Sequence, residues 1–224
     1  MMKNSMTHIL ISFILLAVTF SSNAGQIAKD NPYLMIREVA EITFNRFARE
    51  QEQIQKDPNI LKTIVREELL PYIDYKYAAF KVIGSSNFKH TNKAERAEFV
   101  KIFRNYLVTQ YAQVFTRYKR QEVLFEEPKD YSNKKILAVN TTIIEPGRDP
   151  INIAFKVRKN RKTNQWKAFD MVVEGISLLD SKQAELSSII RQKGLAYVGK
   201  ILQEKAERDI VLDNKNSTNK IKQG

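Results

Sequence analysis

The chain has 224 residues, 43% apolar and 28% charged, enough for one core-bearing domain and too apolar for a disordered chain. Cysteine is absent, which excludes thiolate catalysis, Cys-ligated metals and disulfide stapling. The formal charge of +12 calls for an anionic partner: nucleic acid, a membrane surface or an acidic protein.

The N-terminus reads as a cleaved export signal over residues 1–24. Lys3 precedes the apolar run Ile9–Phe20, and Ser22 and Ala24 supply the small residues of a cleavage site. The run falls short of the roughly 20 residues a spanning helix needs, and no Cys follows for lipid attachment. Cleavage removes Lys3 alone and lowers the charge from +12 to +11. Export argues against nucleic acid as a partner. No later stretch approaches spanning length, so the mature chain is expected to be soluble.

Asn31-Pro32 has the pattern of an N-cap followed by Pro in the first turn, and Ile36, Ala40, Phe44 and Phe47 recur at helical spacing behind it. Asp57-Pro58 opens a second helix with Leu61, Ile64, Val65, Leu69 and Leu70 inward, and Pro71 disturbs or ends it. A short segment, Tyr75–Ile83, is closed by Gly84-Ser85-Ser86. Thr91 is expected to cap the longest helix, whose stripe runs through Phe99, Phe103, Tyr106, Leu107, Tyr111, Val114, Phe115 and Tyr118.

Strand patterns follow. Val123–Phe125 is short, and Ile136–Ile144 is long and β-branched. Glu145–Pro150 is a turn, and Ile151, Ile153, Phe155 and Val157 alternate with polar or small residues. Gln165–Val173 returns after a polar connection, which gives an antiparallel meander. Ser181 is placed as the cap of a helix over Lys182–Lys193, Gly194 punctuates, and Leu195–Arg208 forms the last helix. Helices, then a meander, then helices make an α+β fold: one domain over 25–210, with a polar, disordered tail over 211–224.

Catalytic signals are missing. The mature chain keeps a single histidine, His90, in a polar stretch that reads as a solvated loop. No Walker loop, dinucleotide fingerprint or nucleophile elbow occurs, and no metal site is expected. Glu67-Glu68 and Glu126-Glu127 are adjacent acids, which point apart on regular elements and read as solvated surface. The chain is therefore read as a non-enzyme without a cofactor. Tyrosines at 72, 75, 77, 106, 111 and 118 suit either a core boundary or the mouth of an apolar cavity. Basic residues cluster at Arg117, Lys119 and Arg120, at Lys134-Lys135, and at Arg158, Lys159, Arg161 and Lys162. They are either scattered surface charge or an attraction for headgroups or acidic partners.

Three segments carry a family resemblance. Leu70-Pro71-Tyr72-Ile73-Asp74, Ala94–Arg104 continuing to Tyr111-Ala112, and Asp170-x-x-x-Glu174-Gly175-x-Ser177 lie in an order that resembles the Mla phospholipid-binding proteins, also called the toluene-tolerance auxiliary family. That family often has Thr-Pro before its long helix, whereas Asn92 follows Thr91 here. The resemblance implies a cone related to the nuclear-transport-factor-2-like fold, a curved antiparallel sheet and several helices enclosing an apolar cavity. It implies a periplasmic, monomeric carrier of phospholipid cargo. Its partners would be an inner-membrane ABC transporter with an MCE-domain ring and an outer-membrane lipoprotein–porin complex, and its role the maintenance of outer-membrane lipid asymmetry.

On this reading Ile153, Phe155 and Val157 line one wall, and Phe103, Tyr106, Leu107 and Tyr111 the other. Ile73, Tyr75, Val82, Met171 and Val173 add to the lining. Arg117, Lys119, Arg158, Lys159, Arg161 and Lys162 form the basic surface. A cavity for two tails should approach or exceed roughly 1,000 Å³. Competing readings are a carrier of another apolar lipid, such as a hopanoid or isoprenoid, a protein-only periplasmic adaptor, and a small hydrolase on the same cone.

Overall fold

The computed structural model describes residues 27–118 and 121–212. The expected export signal, Lys119 and Arg120 of the basic cluster, and residues 213–224 of the expected tail lie outside the described residues. Residues 211–212 are held in place. The Val211 backbone exchanges hydrogen bonds with the Gln113 side chain at 2.7 and 3.2 Å, and Leu212 packs against the cluster that contains Val108, Ala112 and Ile210.

Helix α1 spans Pro32–Arg49, and Asn31 caps it by accepting from the Tyr33 and Leu34 N–H groups. Its buried face carries Met35, Ile36, Val39 and Phe47. A short α2, Gln51–Lys56, follows as a separate helix. Helix α3 begins at Ile60 rather than at Pro58 and ends at Ile64. The chain then widens to π bonding over Val65–Leu69 and tightens to a 3₁₀ turn over Leu70–Tyr72. Pro71 explains the change of pitch, because it has no N–H to continue the α ladder.

Asp74 caps α4, Tyr75–Lys89, by accepting from Tyr77 N–H at 3.1 Å. Gly84 was expected to close this segment, but the helix kinks there (φ 76°, ψ 155°) and continues. The second half is fixed by tertiary contact. Buried Asn87 donates to the Ile83 and Ser187 carbonyls at 3.1 and 3.2 Å. Gln183 packs where a Cβ at residue 84 would lie. Helix α5, Lys93–Phe115, is capped by Asn92 and not by Thr91. Asn92 and Glu95 form a reciprocal capping box at 3.0 and 2.8 Å, while the Thr91 hydroxyl donates back to Phe88 O. Val114 departs from the expected stripe and is 55% exposed.

The sheet is an antiparallel meander in the order β1-β2-β3-β4-β5. Its strands are β1 Glu122–Phe125, β2 Ile136–Ile144, β3 Ile151–Lys159, β4 Trp166–Val173 and β5 Ile176–Ser177. Gly147, at φ 77°, turns the chain from β2 to β3. Lys156 faces Asp170 while Val157 faces Ala168, so Phe169 is an extra residue that bulges β4. The unexpected β5 is joined by Glu174 and Gly175, both at positive φ, as a tight two-residue hairpin requires.

Helix α6 covers Leu178–Lys193 and is capped by Ser177, four residues before the expected Ser181. Gly194 (φ 82°) separates it from α7, Leu195–Glu207. Three packed clusters result. One joins α4, α5, α6 and α7, a second joins the end of α1 to α3 and α5, and a third packs α1 onto Val139, Val157 and Trp166 of the sheet. The outcome is an α+β fold with an open five-stranded antiparallel sheet and seven α-helices among the described residues.

Candidate functional site

The sheet face bearing β3's odd-numbered residues falls into two halves. Opposite residues on paired strands share a face, so Val139, Phe155 and Met171 lie side by side, as do Thr141, Ile153 and Val173. Toward Val157 and Trp166, α1 covers this face and leaves neither of these side chains exposed surface. Ile153, Phe155, Met171 and Val173 are half-buried, and Ile151 beyond them is 38% exposed.

Leu107 and Tyr111 of α5 and Tyr75 at the start of α4 are also half-buried. Tyr75 lies beneath the Arg104 guanidinium, 5.8 Å from its ring centre. Burial pushes the Tyr111 phenol up to about 12, with a further contribution from the negative charge of Asp170 on β4.

Other residues expected on a cavity wall are solid core. Val82 and Val157 have no exposed surface, Phe103 keeps 1%, Tyr106 4% and Ile73 6%. Val82, Phe103 and Tyr106 fill the α4–α7 cluster, and Val157 lies under α1. Ile73 bridges to Ala168 in a parallel contact. Helical periodicity gives the direction of a side chain and not its depth, which is why Phe103 and Leu107, one turn apart, differ.

A cleft of about 420 Å³ opens between α1 and β1, lined by Arg37, Glu41, Phe44, Asn45, Gln121, Val123 and Phe125. Val123 and Phe125 oppose Ile143 and Thr141, so the cleft opens onto the same sheet face as Ile153 and Val173. Phe44 stacks on Tyr118 with ring centres 4.4 Å apart. The cleft is less than half the expected size and contains none of the expected lining residues. Phe44 was read as ordinary core, and the open flank of β1 leaves no local sequence pattern.

The quoted motifs are fastenings. Asp74 N–H donates to Ala168 O at 2.7 Å, and its carboxylate pairs with Arg158 at 2.7 Å. Arg158 also stacks 4.2 Å from the Tyr77 ring centre, so it is committed to the fold and is not a free surface charge. The Asp170 side chain is 2% exposed. It accepts from Ser177 Oγ at 2.7 Å and Leu179 N–H at 3.0 Å, and it pairs with Lys156 at 3.1 Å. Glu174 accepts from Asn152 N–H beside the β4–β5 turn. The Asp170-x-x-x-Glu174-Gly175-x-Ser177 pattern thus ends β4, makes the hairpin and starts α6.

Glu67 and Glu68 are not simply solvated. Both meet Arg46 at 2.6 Å, and Glu50 meets it at 2.8 Å. Burial works against the Arg46 charge, but the hydrogen bonds from Glu67, Glu68 and Glu50 outweigh it and hold the guanidinium charged. Arg161 and Lys162 are exposed in the β3–β4 connection, Lys159 lies 5.9 Å from the Trp166 ring centre, and Arg117 is exposed at the end of α5. His90 ends α4, with Nδ1 2.9 Å from Ser86 O. Among the described residues no His, Cys, Asp and Glu cluster could hold a metal, and no helix is long and apolar enough to cross a membrane.

The same α+β architecture occurs in a solved protein. A solved structure of the phospholipid-binding protein from Ralstonia solanacearum, in complex with a phospholipid, superposes with a TM-score of 0.68 at 15% identity over 79% of this chain and 97% of that one. The chain belongs to the MlaC family, whose model matches residues 37–204. It is 33% identical over 205 residues to the intermembrane phospholipid transport system binding protein MlaC of Haemophilus influenzae, covering 91% of this chain and 94% of the relative.

Proposed function

We propose that this protein is a periplasmic carrier of glycerophospholipids that holds acyl tails between α5 and the β3–β4 face and performs no covalent chemistry. The observation that carries this reading is the 33% identity over 91% of the chain to a protein named for binding in intermembrane phospholipid transport. The half-buried side chains of Leu107, Tyr111, Ile153, Phe155, Met171 and Val173 support it. Apolar groups left short of close packing gain contacts when a tail is laid against them.

Each methylene moved out of water gains about 0.8 kcal/mol, so two membrane-length tails cost on the order of 20–25 kcal/mol to expose. A carrier replaces those contacts and removes that barrier to crossing the periplasm. Recognition rests on tail shape, with the headgroup near solvent. The cleft between α1 and β1 opens onto the same sheet face and is our candidate entrance. Its present volume is too small for two tails, so loading separates α1 from the sheet flank. Unloading requires a partner that binds the open state better than the closed one. The proposed partners are the inner-membrane MCE-ring ABC transporter and the outer-membrane lipoprotein–porin complex, with outer-membrane lipid asymmetry as the result. Removal of residues 1–24 on export belongs to the same proposal.

Native mass spectrometry of the mature chain purified from periplasm, with organic extraction of its ligand, tests the reading. Glycerophospholipid in the extract supports it. A hopanoid or isoprenoid would replace the cargo, and a ligand-free chain after exposure to membranes would end the carrier reading.

A further inference from the structure

At the end of the sheet remote from the Glu174–Gly175 hairpin, four chain segments run side by side. Lys159 N–H donates to Lys135 O at 2.9 Å, Asn160 N–H to Gln165 O at 2.8 Å, and Trp166 N–H to Lys29 O at 2.7 Å. This ladder gathers Lys29, Lys134, Lys135, Arg161, Lys162 and Lys167 on one pole. Four of them, Lys134, Lys135, Arg161 and Lys162, are exposed. Among the described residues none of the six has a carboxylate within ion-pair distance, whereas Arg46, Lys129, Lys156 and Arg158 all do. Asp130 is engaged by Ser132 N–H and Oγ and feels the charge of Lys134 without forming an ion pair with it. The Lys159–Lys135, Asn160–Gln165 and Trp166–Lys29 backbone bonds bring these segments together, so their cations repel one another in the free protein. An anionic partner would relieve that repulsion.

We propose that this basic pole is the docking surface for an acidic protein. Two observations favour a protein over a lipid surface. The exposed cations stand in turns closed by hydrogen bonds, Lys134 N–H to Tyr131 O, Asn164 N–H to Asn160 O and Lys162 N–H to Asn160 Oδ1, so their backbone spacing is held and suits a fixed array of carboxylates. The connection between β3 and β4, Asn160–Gln165, carries no aliphatic or aromatic side chain that could enter a bilayer. Ile136, 50% exposed beside Lys135, offers an apolar contact around which a charged rim can close. The pole lies at the end of the sheet filled by α1 and Trp166, away from the half-buried face, so a docked carrier keeps its lipid-facing side free. The inference takes its purpose from the carrier reading and its test from charge placement alone.

The test uses the mature chain, a pole variant (K134E, K135E, R161E, K162E) and a control variant with the same charge change on the helices (K89E, K93E, R191E, K200E). Binding to immobilised poly-L-glutamate and to phosphatidylglycerol vesicles is measured across a salt series. The pole variant is expected to lose poly-glutamate affinity by about tenfold or more, and the control by less than about twofold, with a steep salt dependence in the unmodified chain. Equal losses in both variants would reduce the effect to net charge and overturn the proposal. Loss of vesicle binding by the pole variant, with poly-glutamate binding kept, would overturn it in favour of a membrane contact. Should the reversals unfold the chain, the matching Lys/Arg→Gln set gives the same comparison. Lipid content of all proteins, read by native mass spectrometry, separates a failure here from a failure of the carrier reading.

Discussion

Asp170→Ala should destabilise the protein by about 3 kcal/mol. The wild-type carboxylate is almost fully enclosed and receives two hydrogen bonds, from Ser177 Oγ and Leu179 N–H. Hydrogen bonds to charged groups contribute about 1.5–3 kcal/mol each, and the loss of a helix cap costs about 1 kcal/mol. The two descriptions overlap here, because Leu179 N–H belongs to the first turn of α6. The Lys156 partner keeps 34% of its side chain exposed, so its unpaired ammonium finds water and adds at most about 1 kcal/mol. For a chain of this size about 3 kcal/mol lowers Tm by roughly 6–12 °C. Urea denaturation followed by circular dichroism reads the change directly. A double-mutant cycle with Lys156→Gln should return a coupling below about 1 kcal/mol. A melt of Asp170→Ala within about 2 °C of the wild type would refute the assignment of this residue as the clasp between β4 and α6.

Alkaline stability should depend on Tyr111. Its folded phenol is held near 12 against an ordinary 10, so between these values the unfolded chain releases its proton first and stability falls as pH rises. The loss should reach roughly 2–3 kcal/mol by the upper end. Urea midpoints from pH 9 to 12 should flatten in Tyr111→Phe, and an unchanged profile would remove Tyr111 from the interior. Leu107→Arg should reduce co-purifying lipid several-fold in a folded protein, whereas Val157→Asp should abolish folding, since Val157 has no exposed surface; extraction combined with circular dichroism separates the two. Gly84→Ala should cost about 1–2 kcal/mol, because φ is 76° there, and a neutral result in denaturant titration would show that α4 can straighten.

Local chemistry made much of this fold legible. Asn31-Pro32 announces α1, and β-branched runs bounded by a Pro-Gly turn announce β2 and β3; the β2 limits agree with the structure, while β3 runs on through Arg158 and Lys159, which read as part of the polar connection. Features set by distant contacts were not legible. Gly84 looks like a stop, yet Asn87 and Gln183 hold α4 and α6 together across it. Ser181 resembles a cap, but Asp170 settles the start of α6 at Ser177 from outside the helix. β5 is too short to show a period. Arg158 reads as surface charge until Asp74, 84 residues away, is placed beside it. At the candidate site, the apolar identity of the residues was readable. Their depth depends on which half of the sheet α1 covers, and that divides Val157 from Ile153 on a single strand face.

The most direct test strips the mature chain of bound material, incubates it with phospholipid vesicles, re-isolates it and counts lipid per chain. The account predicts at least about one glycerophospholipid per molecule, with content falling in Leu107→Arg. A folded chain that emerges without lipid would contradict it.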